Sequence, residues 1–199
     1  MSIAYPELED SPTSADKKNA FEIPKSEDTN VVHAASTGAV TGTMLMMNIA
    51  GNLIAILAII AMLDVWLGYI GDKVDIFLSF NAICEVIFWP VAWLMGIDPE
   101  DCTIVASLLG YKIFANEFVA YELLAFTYRG QISDRSYYIA SYALSGFSNF
   151  GSIGVQLGGL TPLAPNQGKN LAKLVFSAMI VGNTACIMTA CIAGLFYEG

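Results

Sequence analysis

The chain has 199 residues, of which 55% are hydrophobic and only 14% charged, with a mean hydropathy of +0.57 and a formal net charge of −9. A soluble domain is about half apolar but about a quarter charged, so the shortage of charge excludes an ordinary water-soluble globule. Seven of the 18 acidic side chains fall within residues 1–30, and the long uncharged stretches that follow exclude an acidic disordered protein and a nucleic-acid binder. What remains is an all-α polytopic membrane protein with an acidic tail.

Residues 1–30 contain Pro6, Pro12 and Pro24, the tandem Lys17-Lys18, many Ser and Asp, and no apolar period. Such a segment buries too little surface to offset its ordering entropy and is expected to be a disordered tail. It also lacks the apolar core of a signal peptide, so insertion is expected to start at the first apolar span.

That span is residues 38–63, which carry no charge and include MLMMNIAGNLIAILAIIAML. About 20 helical residues cross roughly 30 Å of hydrocarbon, which predicts a transmembrane helix here. Asn48 and Asn52 lie four apart beside Ala50, Gly51 and Ala55. The spacing favours a buried polar seam against another helix over a substrate role.

Residues 64–97 mix the charges of Asp64, Asp72, Lys73, Asp75 and Glu85 with Trp66, Tyr69, Trp89 and Trp93. Aromatic residues of this kind favour the headgroup level, which predicts interfacial helices, with Pro90 kinking or ending one of them. Residues 99–128 hold two apolar stretches of about a dozen residues each, too short to span alone. They predict a re-entrant helical hairpin that turns near Phe114-Ala115-Asn116, an irregular backbone tolerated at membrane depth only where protein or a cavity surrounds it.

Residues 137–165 read Ser145-Gly146-Phe147-Ser148-Asn149-Phe150-Gly151-Ser152 at their centre. These are poor helix formers, and they predict a transmembrane helix broken at mid-membrane and ended by Gly158-Gly159 and Thr161-Pro162. Residues 171–198 form the last predicted transmembrane helix. Lys17, Lys18 and Lys25 before the first span, and Lys169 and Lys173 before the last, put both flanks on the cytoplasmic side and the C-terminus outside by the positive-inside rule.

Polar groups within such spans are candidates for function because they are costly there. Glu117, at the proposed hairpin tip beside Asn116, needs a cation, a donor side chain or a polyhydroxylated ligand; a structural ion pair with Lys112 is an equal reading. Asn149 offers two donors and an acceptor, either to a ligand or to the backbone groups freed by its glycine neighbours. The four cysteines show no CxxC spacing, so no metal site or disulfide framework is expected within this chain. His33, the only histidine, has no partner acid or nucleophile in a recognised pattern, and no GxSxG, Walker A, HExxH or dinucleotide motif occurs. No enzyme and no cofactor are expected.

The run Gly110-Tyr111-Lys112-Ile113-Phe114-Ala115-Asn116-Glu117-Phe118-Val119-Ala120-Tyr121 resembles the signature of the concentrative nucleoside transporter family, G/A-x-K-x3-NEFVA followed by Tyr, Phe or Met. The stretch from Asn48 to Ala55 is similar to the NIAxNLIA helix of that family, and the run from Gly146 to Gly154 agrees as well. The resemblance covers about residues 31–199. It implies inward nucleoside transport by sodium- or proton-coupled symport, through elevator-like motion within a homotrimer in the plasma membrane. It implies that Glu117 and Asn149 bind the ribose hydroxyls, with Phe147 and Ser152 beside them and Lys112 and Asn116 supporting the hairpin tip. The N-terminal half of the family, with a second hairpin that contacts the nucleobase and the coupling ion, has no match in residues 1–37. The chain is therefore expected to be the C-terminal half of a transporter, associating with its N-terminal half. The alternative is a non-transporting membrane subunit that assembles with full-length relatives.

Overall fold

The computed structural model of the chain describes residues 28–163 and 167–198, with backbone alone at 161–163. The expected disordered tail lies almost wholly outside the described residues. The chain divides into two compact units, residues 1–47 and 48–199, and the described elements are helical throughout.

Helix α1 is Val31–Lys73. Its start in the first unit is capped by Asn30, whose Oδ1 accepts the His33 N–H at 2.8 Å, in the manner of an N-cap side chain. His33 Nδ1 lies 3.5 Å from the Asp28 carboxylate, a local contact at the helix start. The helix does not stop near residue 63 as expected. It continues through residues 64–73, which were expected to form separate interfacial structure, because no glycine–proline break or cap interrupts the apolar run until the turn after Lys73.

In the second unit, α1 leads through a short connection into α2, Phe80–Leu94. Asp64 ties the two together by accepting the Phe80 N–H at 2.6 Å, and Ser79 caps α2 by accepting from Ala82 N at 3.0 Å. Pro90 neither ends nor interrupts α2; it only removes the N–H that would bond the Val86 carbonyl. The helix ends instead at Gly96, whose φ is +87°. The Gly96 N–H bonds the Trp93 carbonyl and the Ile97 N–H bonds the Ala92 carbonyl, the paired bonds of a Schellman stop, which only a residue tolerant of positive φ supports.

Helix α3, Cys102–Phe114, and α4, Glu117–Glu122, flank a break at residues 115–116. A π-helical turn, Leu123–Thr127, extends α4. Helix α5, Asp134–Leu144, and α6, Phe150–Leu163, flank a second break at residues 145–149. Gly158-Gly159 does not terminate α6, since two helical glycines cost about 1 kcal/mol each but do not by themselves stop a helix; the helix as described reaches Leu163, one residue after Thr161-Pro162. Helix α7 is Gly168–Leu195.

The core joins α2, α3, α4, α5 and α7 through buried residues such as Ala92, Leu108, Ala120, Ile139, Ala143 and Ala190. Alanines let the backbones approach closely, which is how helices associate where no hydrophobic force separates them from lipid. Helices α2 and α3 approach closely, and a methyl group on Gly110 would stand 2.5 Å from Cys84 Cβ and 2.6 Å from its Sγ. Helices α1 and α7 are long and apolar enough to cross a membrane, and only 6% and 11% of their most apolar windows is buried.

The open end of the α3–α4 hairpin, away from its tip, is fastened by Asp101, which is 8% exposed. Its Oδ2 accepts the Ser133 N–H at 3.1 Å and the Ser133 hydroxyl at 2.9 Å. Burial pushes its carboxyl upward, but the hydrogen bonds from Ser136 and Ser133 outweigh it and hold the carboxyl below the ordinary value. Nearby, Arg135 donates to the Gly96 carbonyl, so the start of α5 is bonded at two points to the connection between α2 and α3.

Two outcomes follow. Gly110→Ala should destabilise the protein by about 1–3 kcal/mol through overpacking against Cys84; thermal unfolding in detergent checks this, and the double variant with Cys84→Gly should recover most of the loss. A carboxyl with a lowered folded value stabilises above its unfolded pKa of about 4, and that stabilisation disappears as pH falls through the folded value. Asp101→Asn should therefore lower the unfolding temperature at pH 7, and the difference from the parent should vanish in strong acid.

Candidate functional site

The two helix breaks meet. Each is built by an asparagine standing immediately before a helix, in the position where a side-chain oxygen accepts an otherwise unpaired N–H. Asn116, extended at φ −167°, accepts the Val119 N–H at 3.0 Å and starts α4. Asn149 accepts the Ser152 N–H at 2.7 Å and starts α6. The Ser152 hydroxyl closes the second turn by accepting from Asn149 N at 3.0 Å and donating to the Asn149 carbonyl at 2.7 Å.

Across the gap between the breaks, Asn149 Nδ2 donates to Glu117 Oε2 at 2.7 Å. Asn149 is 2% exposed, whereas Glu117 is half-buried. Phe114 and Phe150, which border the two breaks, stack with ring centroids 5.4 Å apart. Phe80 meets Phe114 edge-on at 5.3 Å. These ring contacts align the hairpin tip with the broken helix beside the Glu117–Asn149 bond.

The structure thus brings together Glu117, Asn149, Phe147, Ser152 and Asn116, which line one pocket with Asn52, Phe118 and apolar residues of α1 such as Ile49 and Ile56. About 20 Å³ of it is open to a water-sized sphere, room for about one water molecule. Phe147 is 42% exposed at its edge, and Gln156 donates to its carbonyl at 3.3 Å. Asn48 and Asn52 are both exposed, so the expected buried seam does not form among the described residues.

Lys112 is absent from the pocket lining. It is 1% exposed, and its Nζ donates to Asn183 Oδ1 at 2.7 Å instead of forming an ion pair with Glu117. The α3 helix directs it toward α7, while the break at residues 115–116 turns Glu117 the other way. Asn183 in turn donates from Nδ2 to the Ser148 carbonyl at 2.7 Å and to the Met179 carbonyl at 3.1 Å. Sequence reasoning did not single out Asn183, although it is an amide at the middle of the last uncharged span, the kind of residue whose cost in an apolar setting is itself a signal. The Ser148 hydroxyl is buried without a hydrogen-bond partner.

Among the described residues no group of three or more His, Cys, Asp and Glu side chains is placed to hold a metal ion. The site therefore presents one carboxylate acceptor and one amide donor at the mouth of a small apolar pocket. A neutral ligand with adjacent hydroxyl groups is matched to that pair, since each hydroxyl both donates and accepts.

Comparison with known proteins adds a lineage to this geometry. Residues 1–194 match the family described as the C-terminus of Na+ dependent nucleoside transporters. The chain is 41% identical to sodium/nucleoside cotransporter 1 of Rattus norvegicus, covering 98% of this chain and 32% of that protein. It is 43% identical to solute carrier family 28 member 3 of the same species, over 91% of this chain and 28% of the relative. The solved structure of CNTnw in an inward-facing substrate-bound state superimposes with a TM-score of 0.77 at 39% identity, covering 86% of this chain and 43% of that one. The chain thus spans about a third of the length of the curated relatives it matches.

Loss of the first of the two asparagine caps has a local readout. Asn116→Ala should cost about 1 kcal/mol by leaving the Val119 N–H without its acceptor, while Asn116→Asp, which keeps an oxygen there, should cost less. Thermal unfolding of the purified variants in detergent distinguishes the two.

Proposed function

The chain belongs to the Na+ dependent nucleoside transporter family, and from that premise we propose that it supplies the ribose-holding part of a cation-coupled nucleoside symporter. The observation that carries the reading is the 2.7 Å bond between Asn149 Nδ2 and Glu117 Oε2. A ribose diol can replace this bond without leaving either group unsatisfied: one hydroxyl donates to the carboxylate and the other accepts from the amide. Hydrogen bonds to a charged group shielded from water are the stronger kind. A ligand without the diol would break the Glu117–Asn149 bond and return nothing, a penalty that confers selectivity.

Within this reading, Phe147 offers an apolar face beside the sugar, and Ser152 holds Asn149 in place while lining the pocket. The residues that contact the nucleobase and the coupling ion, sodium or a proton, are assigned to the part of the relatives that this chain does not span. The protein is an integral membrane protein, and the plasma membrane is its proposed location. The apolar, largely unburied surface of α1 supports association with an N-terminal half and with further copies in a homotrimer.

Uptake of labelled uridine tests the proposal in cells without endogenous nucleoside transport. The 199-residue chain should be expressed alone and as a replacement for the matched span of the rat cotransporter. The chimera should take up uridine above control, and Glu117→Gln should abolish that uptake at equal surface level. Undiminished uptake by the Glu117→Gln chimera would sink the ribose role. Uptake by the chain alone would show that the pocket transports without the remaining two thirds.

A further inference from the structure

Two side chains outside the pocket control how Asn149 is presented to it. Lys112 in the last turn of α3 is 1% exposed and Asn183 of α7 is 9% exposed, and neither lines the pocket. An ammonium group can only donate, so the 2.7 Å bond from Lys112 Nζ requires the Asn183 oxygen to face it. The planar amide then has one orientation left, with Nδ2 toward the Ser148 carbonyl at 2.7 Å. Lys112 at the oxygen, and the Ser148 and Met179 carbonyls at Nδ2, together fix which way round the Asn183 amide sits, and without Lys112 its buried oxygen has lost its donor.

The Ser148 carbonyl and the Asn149 N–H belong to one rigid peptide unit. Asn183 holds its oxygen, and the Ser152 hydroxyl holds its nitrogen at 3.0 Å. Fixing both ends of that peptide sets the direction in which the Asn149 side chain leaves the backbone. The constraint is a closed loop: it starts at Lys112 on the inbound arm of the hairpin, passes through Asn183, Ser148 and Asn149, and returns to Glu117 on the outbound arm. We propose that Lys112 and Asn183 are positioning residues for the ribose site, acting on Asn149 through the Ser148–Asn149 peptide without touching the substrate. This rests on the reading that Glu117 and Asn149 hold the diol.

The test uses the full chain in the rat chimera and compares uptake of uridine with that of 2′,3′-dideoxyuridine, which lacks the diol. Lys112→Met keeps the apolar stem and removes the donor. It should reduce the preference for uridine about tenfold, the value of one ordinary hydrogen bond, through a higher KM for uridine and little change for the dideoxy compound. Asn183→Asp leaves Lys112 an acceptor but offers no N–H to the Ser148 carbonyl, and it should reduce the preference similarly. A purely structural role would lower surface level and maximal rate for both compounds and leave their ratio intact. That result in both variants would overturn the proposal, and if Lys112→Met fails to reach the membrane, Asn183→Asp decides alone. Glu117→Gln separates the two levels: if it abolishes uridine uptake while Lys112→Met and Asn183→Asp retain the preference, only the positioning role fails, whereas undiminished uridine uptake by Glu117→Gln removes the ribose reading and the positioning role with it.

Discussion

A helix that breaks inside an apolar environment frees backbone N–H groups, and each must find a partner within the chain because no bulk water is there to supply one. In this protein both breaks use the same device. Asn116 and Asn149 each turn a side-chain oxygen back onto the N–H three residues ahead, at Val119 and Ser152. The device leaves one asparagine with a free amide donor pointing across the gap, and it places Glu117 in the first turn of α4, where the partial positive charge of a helix start favours a carboxylate. The Glu117–Asn149 bond is the meeting of these two solutions. Remove the requirement to satisfy the breaks, and nothing holds the carboxylate and the amide together.

The breaks can meet only if the helices that carry them are brought close. Gly110 lets α3 lie on Cys84 of α2, and Gly194 lets α7 approach α5, where an added methyl would stand 2.8 Å from Ile139 Cδ1. Tyr121 adds a bond from the outbound arm of the hairpin to the Ser141 carbonyl of α5. At the open end of the hairpin, Asp101 and Arg135 fasten the same elements with charged groups. The hairpin is thus fixed by polar contacts at its mouth, by small residues along its length and by aromatic stacking at its tip. Each kind of contact sits where its surroundings make it effective.

Much of this was legible in the sequence because the signals are local. Composition alone places the chain among membrane proteins, and the weak helix formers between Ser145 and Ser152 mark a break without reference to anything distant. Glu117 and Asn149 stand out singly, as polar groups in apolar runs. Their hydrogen bond does not, since it depends on how two segments 32 residues apart are docked. The ion pair between Lys112 and Glu117 looked as plausible as any other partner from spacing, yet the break turns the two side chains to different neighbours. Asn183 was missed because its role arises from two helices and a helix break at once. The boundaries at residue 63, Pro90 and Gly158-Gly159 were placed on intrinsic propensity, and in each case the helix runs past a residue that weakens it without stopping it.

The orientation of the Asn149 amide gives the site its polarity. Its oxygen is held by the Ser152 N–H, so the side chain cannot exchange oxygen for nitrogen without losing a cap, and Nδ2 always faces the ligand side. Glu117, as a carboxylate, accepts only. The pocket therefore offers a fixed acceptor next to a fixed donor, and a ligand must bring a donor and an acceptor in the complementary order. Two adjacent hydroxyls meet that requirement in either direction, because each oxygen carries both a proton and lone pairs. A ketone next to an ether, or an ammonium next to another ammonium, would satisfy one side and leave the other buried and unpaired. In the proposed reading, selection for a diol follows from the orientation of one amide, which is set by the need to end and restart a helix.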